Sequence, residues 1–105
     1  MLCQVSLFTL KPTVTPERLE EMMWITRTTL LRIREILHLN VGKRVESDNP
    51  WDWFVSIEVE SLDKLAIAQD DPNYYKFLHE VLDQSVARQE VLTFEMEPRK
   101  DVKYS

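Results

Sequence analysis

The side chains best suited to proton transfer, nucleophilic attack or metal binding are few in this chain: two histidines, His38 and His79, and one cysteine, Cys3. A zinc site needs several nitrogen, sulfur or oxygen ligands, commonly brought together by short paired spacings. His38, His79 and Cys3 stand in separate segments without such spacing, so no metal and no cofactor is expected. A single glycine, Gly42, cannot build a glycine-rich phosphate loop. No Gly-x-Ser-x-Gly elbow supports a nucleophilic serine. The acid pairs Glu20-Glu21 and Asp70-Asp71 read as solvated helix surface and a helix break. What remains is a set of aromatic and polar residues: Gln4, Ser6, Trp53, Tyr74, Tyr75 and His79. Aromatic walls with a few polar groups suit a pocket for a small apolar ligand; the competing reading is a core packed with large side chains.

The elements that must position these residues follow from periodicity and turn chemistry. Leu2 to Leu10 is short, rich in β-formers and stopped by Lys11-Pro12, which predicts a strand. Its two faces, Cys3/Val5/Leu7/Thr9 and Gln4/Ser6/Phe8/Leu10, are both apolar enough to be covered. Thr15-Pro16-Glu17 is a strong helix start, with Thr as N-cap, Pro at the first helical position and an acid in the first turn. Apolar or small residues then recur at helical spacing from Leu19 through Met22, Met23, Thr26, Leu30 and Ile33 to Leu37. Trp24 and Leu31 fall off that stripe. A short second strand is expected from Asn40 to Ser47, and Asp48-Asn49-Pro50 is a turn. Trp51 to Glu60 alternates well and predicts a third strand, with Trp51, Trp53, Val55, Ile57 and Val59 on one face.

Ser61 caps a short helix reaching about Gln69, Asp70-Asp71-Pro72 interrupts it, and a further helix is expected from Pro72 to about Arg88. The last strand is expected from Glu90 to Met96, stopped by Pro98. The order is β-α-β-β-α-β: an α+β, ferredoxin-like, four-stranded antiparallel sheet with the helices on one face. Helices can cover only one side of strands that are apolar on both sides. An isologous homodimer is the commonest cover for the other.

At 105 residues, 44% hydrophobic and 30% charged, the chain has the size and composition of one domain, expected over 1–98, with a polar tail over 99–105. A net charge of −5 and dispersed Lys and Arg give no basis for nucleic-acid binding. No apolar run approaches a membrane span and no secretory leader is evident, so neither a membrane partner nor export is expected, and the expected location is the cytoplasm. Cys3 cannot form an internal disulfide and reads as a small hydrophobe.

Four stretches together carry a resemblance over nearly the whole chain: Val5-Ser6-Leu7-Phe8-Thr9-Leu10-Lys11 followed by Thr15-Pro16-Glu17; Val41-Gly42-Lys43; Phe54 to Ser61; and Asp71-Pro72-Asn73-Tyr74-Tyr75-Lys76-Phe77. In order and spacing they resemble the stress-responsive A/B barrel (Dabb) family of dimeric α+β barrels. The resemblance implies two subunits packed sheet against sheet, with the helices outside. On that arrangement Val5, Leu7, Phe54, Leu92, Phe94 and Met96 are expected to meet the partner.

The resemblance also implies that Gln4, Ser6 and Phe8 share a face with Trp53, Val55 and Ile57, beneath a lid of Met22, Met23, Thr26, Tyr74 and Tyr75. Some plant members bind or cyclise a polyketide there, using histidines and a tyrosine. The matching positions here hold Gln4, Ala68 and Tyr74, with Asp71 where the family's His-Pro-x-His motif begins. All three chemical groups differ, so the cyclase chemistry does not carry over. Tyr74 remains as a hydrogen-bond donor to an enolate or carbonyl oxygen. His79, five residues on, would be turned away from it. Two main readings stand, a binding or stress-associated homodimer without the cyclase chemistry, or a cofactor-free enzyme of monooxygenase or cyclase type; a weaker third is an interaction module presenting Trp24 and Leu31 to another protein. The second would act on a small aromatic or polyketide-like compound in the pocket formed by Gln4, Ser6, Phe8, Met23, Trp53, Val55, Tyr74 and Tyr75.

Overall fold

A computed structural model describes residues 1–98. Four strands, β1 (Leu2–Leu10), β2 (His38–Lys43), β3 (Trp53–Val59) and β4 (Val86–Glu95), form one antiparallel sheet in the order β2-β3-β1-β4. The helices are α1 (Pro16–Leu30), α2 (Leu62–Gln69) and α3 (Pro72–Phe77). A π-helical turn over Leu78–Leu82 and a last helical turn, α4 (Asp83–Ser85), continue α3 to the start of β4. This is the expected ferredoxin-like α+β arrangement. The polar tail expected over 99–105 lies outside the described residues.

Helix starts follow the capping residues. Thr15 accepts a hydrogen bond from the Arg18 amide, Ser61 from Lys64 and Asp71 from Asn73, each satisfying a backbone donor that the first helical turn leaves unpaired. Helix ends depart from expectation. The apolar stripe predicted α1 as far as Leu37, yet it stops at Leu30. Thr26, Thr28 and Thr29 crowd its last turn, and the Thr26 and Thr28 hydroxyls bond back to the Met22 and Trp24 carbonyls at 2.7 and 3.0 Å. Tight turns then carry Ile33 and Ile36 into the core while Leu37 is left exposed. The helical spacing was real but belongs to a chain of turns.

Three strand boundaries also move. β2 runs from His38 to Lys43 rather than Asn40 to Ser47, so His38 is a strand residue. β3 begins at Trp53 because Asp52 serves as an anchor: its carboxylate accepts from the Leu10 amide at 2.7 Å and its amide donates to the Phe8 carbonyl at 2.8 Å. β4 begins at Val86 rather than Glu90, since Leu10 and Thr9 of β1 pair with Val86 and Arg88 across an irregularity. Residues 87–90, Ala-Arg-Gln-Glu, carry no β signal of their own. The neighbouring strand recruits them.

Register assigns the two faces. Phe8 pairs with Trp53, Ser6 with Val55 and Gln4 with Ile57, so these side chains share the face beneath the helices. Phe8, Met22, Leu30, Ile33, Trp53, Val59 and Val81 are almost wholly buried there. Trp24 and Leu31, both 60% exposed, stand outside that core as the periodicity required. Met22 projects from α1 into the sheet, and deleting its side chain leaves a cavity that close-packed neighbours cannot fill. Met22→Ala should therefore cost about 2–5 kcal/mol of stability, read from chemical denaturation with an unchanged denaturant dependence.

Candidate functional site

The residues expected to line a pocket fall into one region but not into one environment. Gln4, Phe8, Trp53 and Val55 are buried on the helix-facing side of the sheet, and Tyr74 packs against the same core from α3. Ser6 and Met23 are half-buried. Tyr75, the next residue on α3, is 47% exposed and turned outward. Phe8 and Trp53 lie ring to ring, with centroids 4.7 Å apart and planes tilted by 36°. Tyr74 meets Phe77 edge to face at 5.9 Å. These contacts use aromatic area as core.

The polar groups in this region have specific partners. Gln4 donates from Nε2 to the Thr93 hydroxyl at 3.4 Å, directly across the β1–β4 register. The Gln69 side chain is a hydrogen-bonding neighbour of the Tyr74 phenol and favours its ionised form. One group is unmatched: Trp53 Nε1 is buried and has no acceptor among the described residues. A buried N–H without a partner costs roughly 1–3 kcal/mol, so it marks the one place in this core where an acceptor would be welcome. His79 takes no part. Its Nδ1 lies 2.9 Å from the Asp83 carboxylate on the exposed side of the helical segment, one turn along.

No described helix covers the opposite face of the sheet. Val5, Leu7 and Phe54 are half-buried on it, while Leu92, Phe94 and Met96 are 38%, 52% and 40% exposed. One cross-strand row of this face reads His38, Glu58, Cys3, Phe94. His38 and Glu58 were absent from the expected set, and only the corrected β2 boundary, which makes His38 the partner of Glu58, would have indicated them. Burial, with the Glu58 carboxylate beside it, holds the Cys3 thiol above its ordinary pKa, which keeps it protonated and poorly nucleophilic. Among the described residues no three His, Cys, Asp or Glu side chains are grouped so as to hold a metal ion.

Comparison with known proteins gives a consistent picture. The model of the stress responsive A/B barrel domain matches residues 3–97. No functionally curated protein matches the sequence. Among solved structures, a protein from Arabidopsis thaliana is similar with a TM-score of 0.82 at 20% identity, covering 95% of this chain and 99% of its own. A dimeric ferredoxin-like protein of unknown function from Thermobifida fusca gives 0.81 at 21% identity, covering 90% of both chains. The hydroxynitrile lyase of Passiflora edulis gives 0.80 at 8% identity, covering 95% and 96%. At such identities the likeness is one of fold.

Burial raises the Tyr74 pKa above the ordinary phenol value, opposed in part by the Gln69 hydrogen bond. A raised phenol pKa means that the unfolded chain loses this proton first as pH rises, so Tyr74 lowers stability above its unfolded pKa. In an alkaline titration followed by near-ultraviolet absorbance, Tyr74 should ionise late, and Tyr74→Phe should remove that late step. A Tyr74→Phe titration superimposable on the wild type would show the phenol to be solvated.

Proposed function

Since this chain belongs to the stress responsive A/B barrel domain family, we propose that it acts as a homodimer with a binding or stress-associated role and without cyclase chemistry. The observation that carries this reading is the division of the sheet. The helix face is filled by Phe8, Met22 and Trp53, whereas the other face presents Val5, Leu7, Phe54, Leu92, Phe94 and Met96 with no described helix over them. Apolar side chains so grouped on an open face are the signature of a protein interface. A second copy offers the same surface, and the dimeric description of the Thermobifida fusca protein supports that choice of partner. The absence of the expected chemical groups at Gln4, Ala68 and Tyr74 supports the negative half of the reading.

Light scattering at micromolar concentration should return twice the chain mass of 12.5 kDa. Leu7→Asp or Leu92→Asp should disrupt dimer and fold together, because an unpaired carboxylate in an apolar interface costs on the order of several kcal/mol. A stable, folded monomer in the wild type would sink the dimer, and soluble dimers of both variants would mean that the faces are assigned the wrong way round.

The second reading, a cofactor-free monooxygenase or cyclase acting on a small aromatic or polyketide-like compound, is favoured by Trp53 Nε1. That N–H, a buried donor without an acceptor among the described residues, would donate to a carbonyl or phenolate oxygen reaching it between sheet and helices. On this reading Tyr74→Phe should slow turnover of such a compound, and unchanged kinetics would remove Tyr74 from the mechanism.

A further inference from the structure

The outer side of α1 carries two large apolar side chains that the core does not use. Trp24 and Leu31 are each 60% exposed, while Met22, Thr26 and Leu30 of the same segment are buried in the core. Leu31 is still helical in its backbone, and its amide donates to the Arg27 carbonyl at 3.1 Å. Helical spacing therefore puts Trp24, Arg27 and Leu31 on one face, spanning about 10 Å along the axis. This face looks away from the sheet, so it stays open whether or not a second copy covers the strands.

Charge on and beside this face has one sign. From Met22 to Arg34 the chain holds three arginines, Arg27, Arg32 and Arg34, and no acid, in a protein whose net charge is −5. All three are exposed. Elsewhere Arg18 pairs with Glu21, Lys43 with Glu20 and Arg44 with Asp52, which also occupies the acids nearest the start of the stretch. None of the three guanidinium groups has an ion pair, hydrogen bond or ring contact among the described residues. The next acid along the chain, Glu35, is half-buried. The helix dipole favours a cation at Arg27, in the last turn of α1, but Arg32 and Arg34 lie in the turns beyond it.

From this pairing of exposed apolar anchors with unmatched cations we infer that the outer face of α1 is a docking site for an acidic amphipathic helix of another protein. Its apolar side chains would lie against Trp24 and Leu31, and its carboxylates on Arg27, Arg32 and Arg34. Trp and Arg are the side chains that most often anchor interfaces, and the guanidinium fork matches a carboxylate with two hydrogen bonds. Anchors seven residues apart on one helix match apolar positions of the same spacing on another, the side-to-side contact of packed helices. A second copy of this chain is a poor occupant, since the same face packed on itself about a twofold axis would set arginine against arginine. A membrane surface fits poorly as well: Arg27 and Thr28 separate two single apolar side chains, where an inserting helix needs a broad apolar face.

The three tryptophans make the test direct, because Trp24 belongs to this face and Trp51 and Trp53 lie elsewhere. The intact protein is labelled with nitrogen-15 at its indoles, and Trp24→Phe assigns the Trp24 signal. The probe is a helical peptide with Leu at alternate third and fourth positions and Glu between them. Its titration should shift the Trp24 signal saturably and leave those of Trp51 and Trp53 in place. The same peptide with Gln for Glu should bind about tenfold more weakly at low salt, the combined effect of three exposed ion pairs. Arg32→Gln together with Arg34→Gln should remove most of that difference, and the Trp51 and Trp53 signals check that the variant is folded. Equal affinity for the Glu and Gln peptides would overturn the inference, as would the absence of a saturable Trp24 shift with the Glu peptide. Vesicles of mixed phosphatidylcholine and phosphatidylglycerol should leave the Trp24 signal in place; its loss on them would overturn the inference in favour of a membrane surface.

Discussion

The register between β1 and β3 decides which side chains meet the helices, because side chains alternate strictly between the two faces of a strand. With Phe8 opposite Trp53 and Gln4 opposite Ile57, the large aromatic and β-branched residues face α1 and α3. A slip of one residue would exchange them for Leu7, Phe54, Val5 and Ser56 and leave Trp53 on the open side. The register is held at one end by Asp52, which ties the start of β3 to Phe8 and Leu10 through its amide and its carboxylate. This constraint is polar and joins residues far apart in sequence, and the apolar core is built on it.

Apart from Trp53 Nε1, which has no acceptor among the described residues, the polar side chains Gln4 and Tyr74 of that core have partners. Gln4 reaches Thr93 on the neighbouring strand, and Tyr74 reaches Gln69 at the end of the preceding helix. Each pair joins elements distant in sequence or separated by the Asp70-Asp71-Pro72 break, so these bonds specify tertiary arrangement as well as offset the cost of burial. The imidazoles lie elsewhere, His79 out beside Asp83 and His38 on the other face of the sheet. Neither imidazole of the chain therefore lies beneath the helices, where it could act as a general base.

How much of this was legible in the chain depends on whether the signal was local. Helix starts were, because Thr15, Ser61 and Asp71 act on amides two or three residues away. The faces of β1 and β3 were, because alternation at Phe8, Trp53, Val55 and Ile57 needs no partner to be read. The end of α1 was not: Leu30, Ile33 and Leu37 keep helical spacing through turns whose only sequence trace is a cluster of threonines. The start of β4 was not either, since residues 87–90 pair because β1 offers an edge. The π-helical turn at Leu78–Leu82, which brings Val81 into the core, left no recognisable mark. For the candidate site, residue types and faces were readable. Whether Trp53 fills or lines a pocket depends on side-chain placement in three dimensions, and the role of His38 depended on a strand boundary that its own flanking residues do not signal.

The open face is itself divided across its width. On the β1–β4 side it carries Val5, Leu7, Leu92 and Phe94; on the β2–β3 side it carries His38, Asn40, Ser56 and Glu58, with Asn40 donating to the Ser56 hydroxyl at 3.3 Å. Phe54 breaks the polar side at one end, its ring lying over Gly42 so closely that a Cβ there would sit 2.6 Å from a ring carbon. The only glycine in the chain is thus explained by an aromatic ring that covers an edge strand, not by a turn. On the proposed dimer, the apolar contact would fall along β1 and β4, where burial is most favourable, while the residues along β2 and β3 would keep their hydrogen bonds best with water beside them.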